Sequence, residues 1–134
     1  MLPVTWTTVR LFLHVLAATV WVGGQVTLAG LVPGLRALGD DAPRAIARRF
    51  NRIAWPAFAI LVVTGIWNVV AEAGHKHHSG YTVTLFLKVA IVALSGASAA
   101  LHAQAKARPV VALMGALSGL TALVALFLGV LLAG

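Results

Sequence analysis

The chain has 134 residues, of which 60% are hydrophobic and only 10% charged. Soluble domains average about 25% charged residues, so this composition excludes a water-coated globule and leaves a membrane protein. The formal charge of +7 rests on basic residues at the ends of apolar segments, where membrane topology explains them better than nucleic acid does.

The apolar pattern predicts an all-α fold, an integral membrane four-helix transmembrane bundle forming a single domain over residues 1–134. The first span covers about residues 5–31 and closes at Pro33 and Gly34. Arg10 precedes an apolar run reaching Leu35, too long for the core of a signal peptide, so the segment reads as a retained span. A loop carrying Arg36, Asp40, Asp41 and Arg44 leads through Arg48, Arg49 and Arg52 into the second span, about 53–70. Pro56 is expected in its first turn, where a missing N–H costs little. A loop with His75, Lys76, His77 and His78 precedes the third span, about 81–103; Lys106, Arg108 and Pro109 separate it from the fourth, about 110–132.

Lysine and arginine concentrate in the first and third loops, with only Arg10 and Lys76 on the other side. The positive-inside rule then puts those basic loops in the cytoplasm, and both termini and the histidine-rich loop outside. The expected location is a bacterial inner (cytoplasmic) membrane, with the histidine loop periplasmic or extracellular. Glycines 23, 24, 30, 65, 96, 115 and 119 suit close helix packing.

Ionisable groups inside a bilayer are costly and mark candidate sites. His14 shares a face of the first span with Arg10, Ala17, Ala18, Trp21 and Gln25. The small residues beyond it leave room for a flat group, or for a neighbouring helix to which the imidazole hydrogen-bonds. Lys88 lies within the third span; its stem can snorkel, or its ammonium can bind an anion such as a ligand carboxylate. Glu72 is the one protein partner the sequence offers it. His102 sits fourteen residues beyond Lys88, about 21 Å along the helix, near the opposite boundary. Asn68, late in the second span, reaches the depth of His14 and Lys88. The candidates for cofactor binding are therefore His14, Trp21, Asn68 and Lys88, and those for a metal are His14, His75, His77, His78 and His102.

Three stretches resemble the CopD copper-resistance proteins and the related HemJ membrane proteins. The first is Leu13-His14-Val15 through Trp21-Val22-Gly23-Gly24. The second is Arg48-Arg49-Phe50 leading to Ile53, Pro56-Ala57 and Thr64-Gly65. The third is Gly80-Tyr81 followed by Leu85-Phe86-Leu87-Lys88-Val89. The resemblance covers spans one to three and implies a four-helix core that handles copper, as in CopD, or holds haem b, as in HemJ. It makes His14 the first-span histidine and Lys88 the third-span lysine. No tryptophan precedes Tyr81, and His102 lies farther from Lys88 than in the HemJ pattern.

The leading expectation is a CopD-like membrane protein with a metal-centred role in copper transport or resistance. The first alternative is a haem b-binding redox protein, HemJ-like or quinone-linked, in which His14 ligates iron and Lys88 pairs with a carboxylate. The second is an accessory subunit of a larger membrane complex or a homo-oligomer. Copper(I) favours sulfur ligands, and the chain has no cysteine and only Met1 and Met114. Haem b and copper both remain open as cofactors, with the lipid bilayer, a copper ion, haem or a quinone as partners. No nucleophile triad, paired carboxylates or phosphate loop points to a hydrolase or a nucleotide enzyme.

Overall fold

In a computed structural model, residues 3–72 and 79–134 are described, and among them there is no strand. Four helices account for almost all of these residues: α1 (Trp6–Ala37), α2 (Ala42–Glu72), α3 (Ser79–Gln104) and α4 (Arg108–Ala133). Each is long and apolar enough to cross a membrane. At 1.5 Å per residue the shortest, of 26 residues, is about 39 Å long, beyond the ~30 Å of a hydrocarbon core. The all-α, four-span expectation therefore holds.

Two helix boundaries differ from expectation, both at prolines. α1 runs through Pro33 to Ala37 and stops where Gly39 adopts φ +139°. The glycine's positive φ, and not the proline, ends the helix, and Leu38 and Gly39 donate back to the carbonyls of Leu35 and Arg36. α2 starts at Ala42, so Pro56 falls mid-helix instead of in the first turn. The stretch expected as a long basic loop is thus mostly helix, and the true connection is residues 38–41. Membrane helices tolerate interior prolines where neighbouring groups satisfy the freed backbone.

A π-helical turn, Thr19–Gly23, interrupts α1. Threonine hydroxyls flank it: Thr19 Oγ1 donates to the Val15 carbonyl at 2.9 Å and Thr27 Oγ1 to the Gly23 carbonyl at 2.8 Å. The Val15 carbonyl also accepts from the Thr19 backbone N–H, so the hydroxyl adds a second donor to it.

The chain divides into two compact units, Met1–Ala73 and Gly74–Gly134, the first holding α1 and α2 and the second α3 and α4. In both, the distribution of side chains is the reverse of a soluble core. The buried set is mostly alanine, serine and threonine, whereas Phe12, Val63, Ile66, Phe86, Leu113, Phe127 and Val130 are exposed. In lipid there is no hydrophobic drive between helices, so small residues that allow close backbone contact fill the interfaces.

In the first unit the contact is made by Ala17, Ala54 and Ala57 around an aromatic cluster. Trp21 lies 4.4 Å from Phe58 and 5.7 Å from Trp55, ring centre to ring centre. Lower down, Phe50 covers Gly24 so closely that a Cβ there would collide with its ring. In the second unit Ser95 Oγ donates to the Ser118 carbonyl and Ser118 Oγ to the Ser95 carbonyl, each at 3.1 Å. This reciprocal pair, with Ser98, Ala122 and Ala125 buried beside it, fixes the antiparallel register of α3 and α4.

Candidate functional site

The polar residues of the first unit form a ladder between α1 and α2. Arg10 and His14 are one turn apart on α1; Thr64, Asn68 and Glu72 are spaced by four on α2 and share its face. Because the helices are antiparallel, His14 meets Thr64 and Arg10 meets Glu72. His14 Nδ1 lies 2.8 Å from Thr64 Oγ1. The Thr64 hydroxyl spends its single proton on the Ile60 carbonyl at 2.6 Å. While that proton stays on Ile60, the Thr64 oxygen accepts from His14 Nδ1; in the other tautomer Nδ1 accepts the Thr64 proton instead. Gly65 lies across from the ring: a Cβ at that position would be 3.5 Å from His14 Cε1.

One turn away, Arg10 is 95% buried (5% exposed) and its guanidinium is 3.7 Å from Glu72, whose side chain is 39% exposed. Arg10 Nε and Asn68 Oδ1 are both buried, and neither has a hydrogen-bond partner among the described residues. Buried polar groups are normally satisfied. A buried donor on α1 and a buried acceptor on α2, each without a partner among the described residues, therefore mark the ladder as a place for a polar ligand group or water.

The other expected residues are distributed as follows. Trp21 is buried at 3% exposure in the aromatic cluster, a packing element between α1 and α2. Asn68 belongs to the ladder. Lys88, in the second unit, lies along α4 at Gly129, where an added Cβ would come 3.0 Å from its ammonium nitrogen. Glu72, the carboxylate that the sequence offers Lys88, is engaged by Arg10, and residues 74–134 contain no acidic residue. His102 Nδ1 donates to the Val111 carbonyl at 2.7 Å, and its ring lies over Gly115. His75, His77 and His78 lie outside the described residues. Among the described residues no group of three histidine, cysteine or acidic side chains could hold a metal ion.

Sequence reasoning missed the part played by Arg10 and Thr64. Arg10 counted there as a flanking charge, although it shares the His14 face; the four-residue spacing of Thr64, Asn68 and Glu72 was the signal on the other helix.

The donors present suit a group needing one protein ligand and an anionic contact better than a bare ion. His14 is the single histidine of residues 1–73, and Arg10 stands one turn from it on α1. No protein-family model, curated protein or solved structure matches the chain.

Proposed function

We propose that this is a haem-binding membrane redox protein in which His14 is the iron ligand. The observation that carries the reading is the 2.8 Å contact between His14 Nδ1 and Thr64 Oγ1, in which Thr64 is positioned to accept while its hydroxyl bonds Ile60. Metal-ligating histidines characteristically donate their second N–H to such a partner, which holds the ring and raises the basicity of the coordinating nitrogen. Arg10 supports an anionic substituent at the neighbouring level, because a buried guanidinium with an unsatisfied Nε is a strong carboxylate donor. Asn68 Oδ1 accepts a proton-bearing group there. Haem, when bound, supplies one-electron chemistry to a chain that has no cysteine.

Copper handling, the expectation drawn from the CopD resemblance, requires several protein donors around one ion; of its candidate imidazoles, His14 contacts Thr64 and His102 bonds the Val111 carbonyl, and His75, His77 and His78 lie outside the described residues. The haem reading needs only His14, so it takes precedence.

The test is the visible spectrum of the purified protein, oxidised and dithionite-reduced, with metal analysis of the same sample. A Soret band that shifts on reduction and is lost in His14→Ala supports the reading. Thr64→Val should keep the band but weaken haem affinity roughly 10- to 100-fold, the usual effect of removing a ligand's hydrogen-bond partner. A colourless protein carrying stoichiometric copper would replace haem by a copper ion. A protein that takes up neither, after expression with haem precursor and copper, would leave the accessory-subunit alternative.

A further inference from the structure

Residues 53–71 of α2 carry no charge. Nineteen residues rise about 28 Å, close to the ~30 Å hydrocarbon thickness. Glu72 therefore marks one boundary of the membrane on this helix and Arg52 the other. The preceding helical residues, Ala42–Asn51, extend beyond the hydrocarbon into the headgroup layer.

Ala45, Arg48 and Arg49 of that extension share one face with the boundary residue Arg52, and the four line a cavity of about 360 Å³. It is an open cavity lined by Ala45 and by three exposed arginines. Like charges three and four residues apart on a helix repel, and no acidic residue lines the cavity. The nearest carboxylate in sequence, Asp41, points to Arg44 at 4.0 Å. The segment is anchored: Phe50 packs over Gly24 of α1, leaving the arginine face fixed at the boundary. A cluster of +3 at headgroup depth, with no protein counter-ion and a cup large enough for a phosphate, needs an anion to offset its repulsion.

We propose that the Arg48–Arg49–Arg52 cup binds the phosphate of an anionic phospholipid. Guanidiniums grip phosphate oxygens through paired N–H donors, and a net anion suits the cup where a zwitterionic headgroup, carrying its own cation, does not. The acyl chains would descend beside the exposed Ile53, which begins the apolar run.

The full-length protein in detergent, analysed by native mass spectrometry and thermal denaturation, tests this with short-chain phosphatidylglycerol, phosphatidylcholine and inorganic phosphate as separate probes. Phosphatidylglycerol should bind at least ~10-fold more tightly than phosphatidylcholine and raise the unfolding temperature. The triple variant R48Q/R49Q/R52Q should lose that preference, whereas K106Q/R108Q, which removes basic charge elsewhere, should keep it. R48K/R49K/R52K retains the charge, and a partial loss in it is the signature of paired guanidinium contacts. All three arginines are exposed, so circular dichroism should show unchanged helix content in each variant. Equal binding of the two lipids, an equal loss in the Lys106/Arg108 variant, or retained preference in the triple glutamine variant overturns the proposal. Saturation by inorganic phosphate with no gain from the lipid overturns the lipid as its source.

Discussion

The two helical pairs solve the same packing problem with different chemistry. The second unit closes on itself: Ser95 and Ser118 satisfy each other's backbone, His102 is tied to Val111, and Lys88 lies in space left by Gly129. The first unit is joined by larger and more ionisable groups, and it leaves Arg10 Nε and Asn68 Oδ1 buried without a partner among the described residues. A pair held by small residues and internally matched hydrogen bonds has little polar capacity for a ligand. A pair that buries an arginine beside an oriented histidine has that capacity, at a cost in stability. That difference is the reason the proposed site is put on α1 and α2.

The contrast is broken most severely at Gly24. Gly24→Leu would drive a side chain into Phe50 and force the helices apart. Overpacking of this kind costs about 1–3 kcal/mol, occasionally more, and should appear as a lowered unfolding temperature or loss of monodisperse protein. The same substitution at Gly23, which has open space around its Cβ position, should be far milder.

Next comes the ion pair, where the two partners should respond unequally. Glu72→Gln leaves a cation at 6% side-chain exposure without its counter-charge, whereas Arg10→Met leaves a carboxylate already 39% exposed. The first should destabilise by ~1–3 kcal/mol and the second by less, since breaking a buried pair is costly and a solvated one is not. Equal losses in chemical denaturation would mean that Arg10 is better solvated than its burial indicates.

Smaller effects should come from the second unit. Ser95→Ala removes one of two reciprocal bonds and leaves Ser118 Oγ donating to the residue 95 carbonyl. Interhelical bonds in membranes average about 0.6 kcal/mol, and thermal denaturation should show a loss of that order. Gly129→Ala should be smallest: the added Cβ meets only the mobile end of Lys88, which can swing aside. A large loss there would show that the ammonium is held in place and would narrow the contrast between the units.

Much of the fold was legible in the chain because lipid demands it. Long apolar runs with few charges have few alternatives to a spanning helix, and each of the four expected spans falls on one of the four observed helices. Helix ends were less legible, since the punctuation of Pro33 and Pro56 carries soluble-protein meaning that a membrane helix overrides. His14 and Asn68 stood out as polar groups in apolar surroundings. The roles of Arg10 and Thr64 depended on which residue of α2 faces which residue of α1, and register between antiparallel helices is set by packing at Ala17, Ala54 and Ala57 rather than by any local pattern. Trp21 looked like a cofactor neighbour, and its aromatic partners come from α2, some 34 residues or more along the chain.

The π turn at Thr19–Gly23 bears on how this helix could gain or lose a residue. A turn of this kind holds one residue more than the α-helical path requires, so it acts as a place of slack in an otherwise rigid rod. Deleting one residue within it should let the segment close into ordinary α-helix, with His14 still facing Thr64 and Gly24 still under Phe50. The same deletion between Arg10 and His14 would turn one of them about 100° away from α2. Length changes in α1 should therefore be tolerated at the wide turn and almost nowhere else, with the flanking hydroxyls of Thr19 and Thr27 ready to satisfy whichever carbonyls the new path exposes.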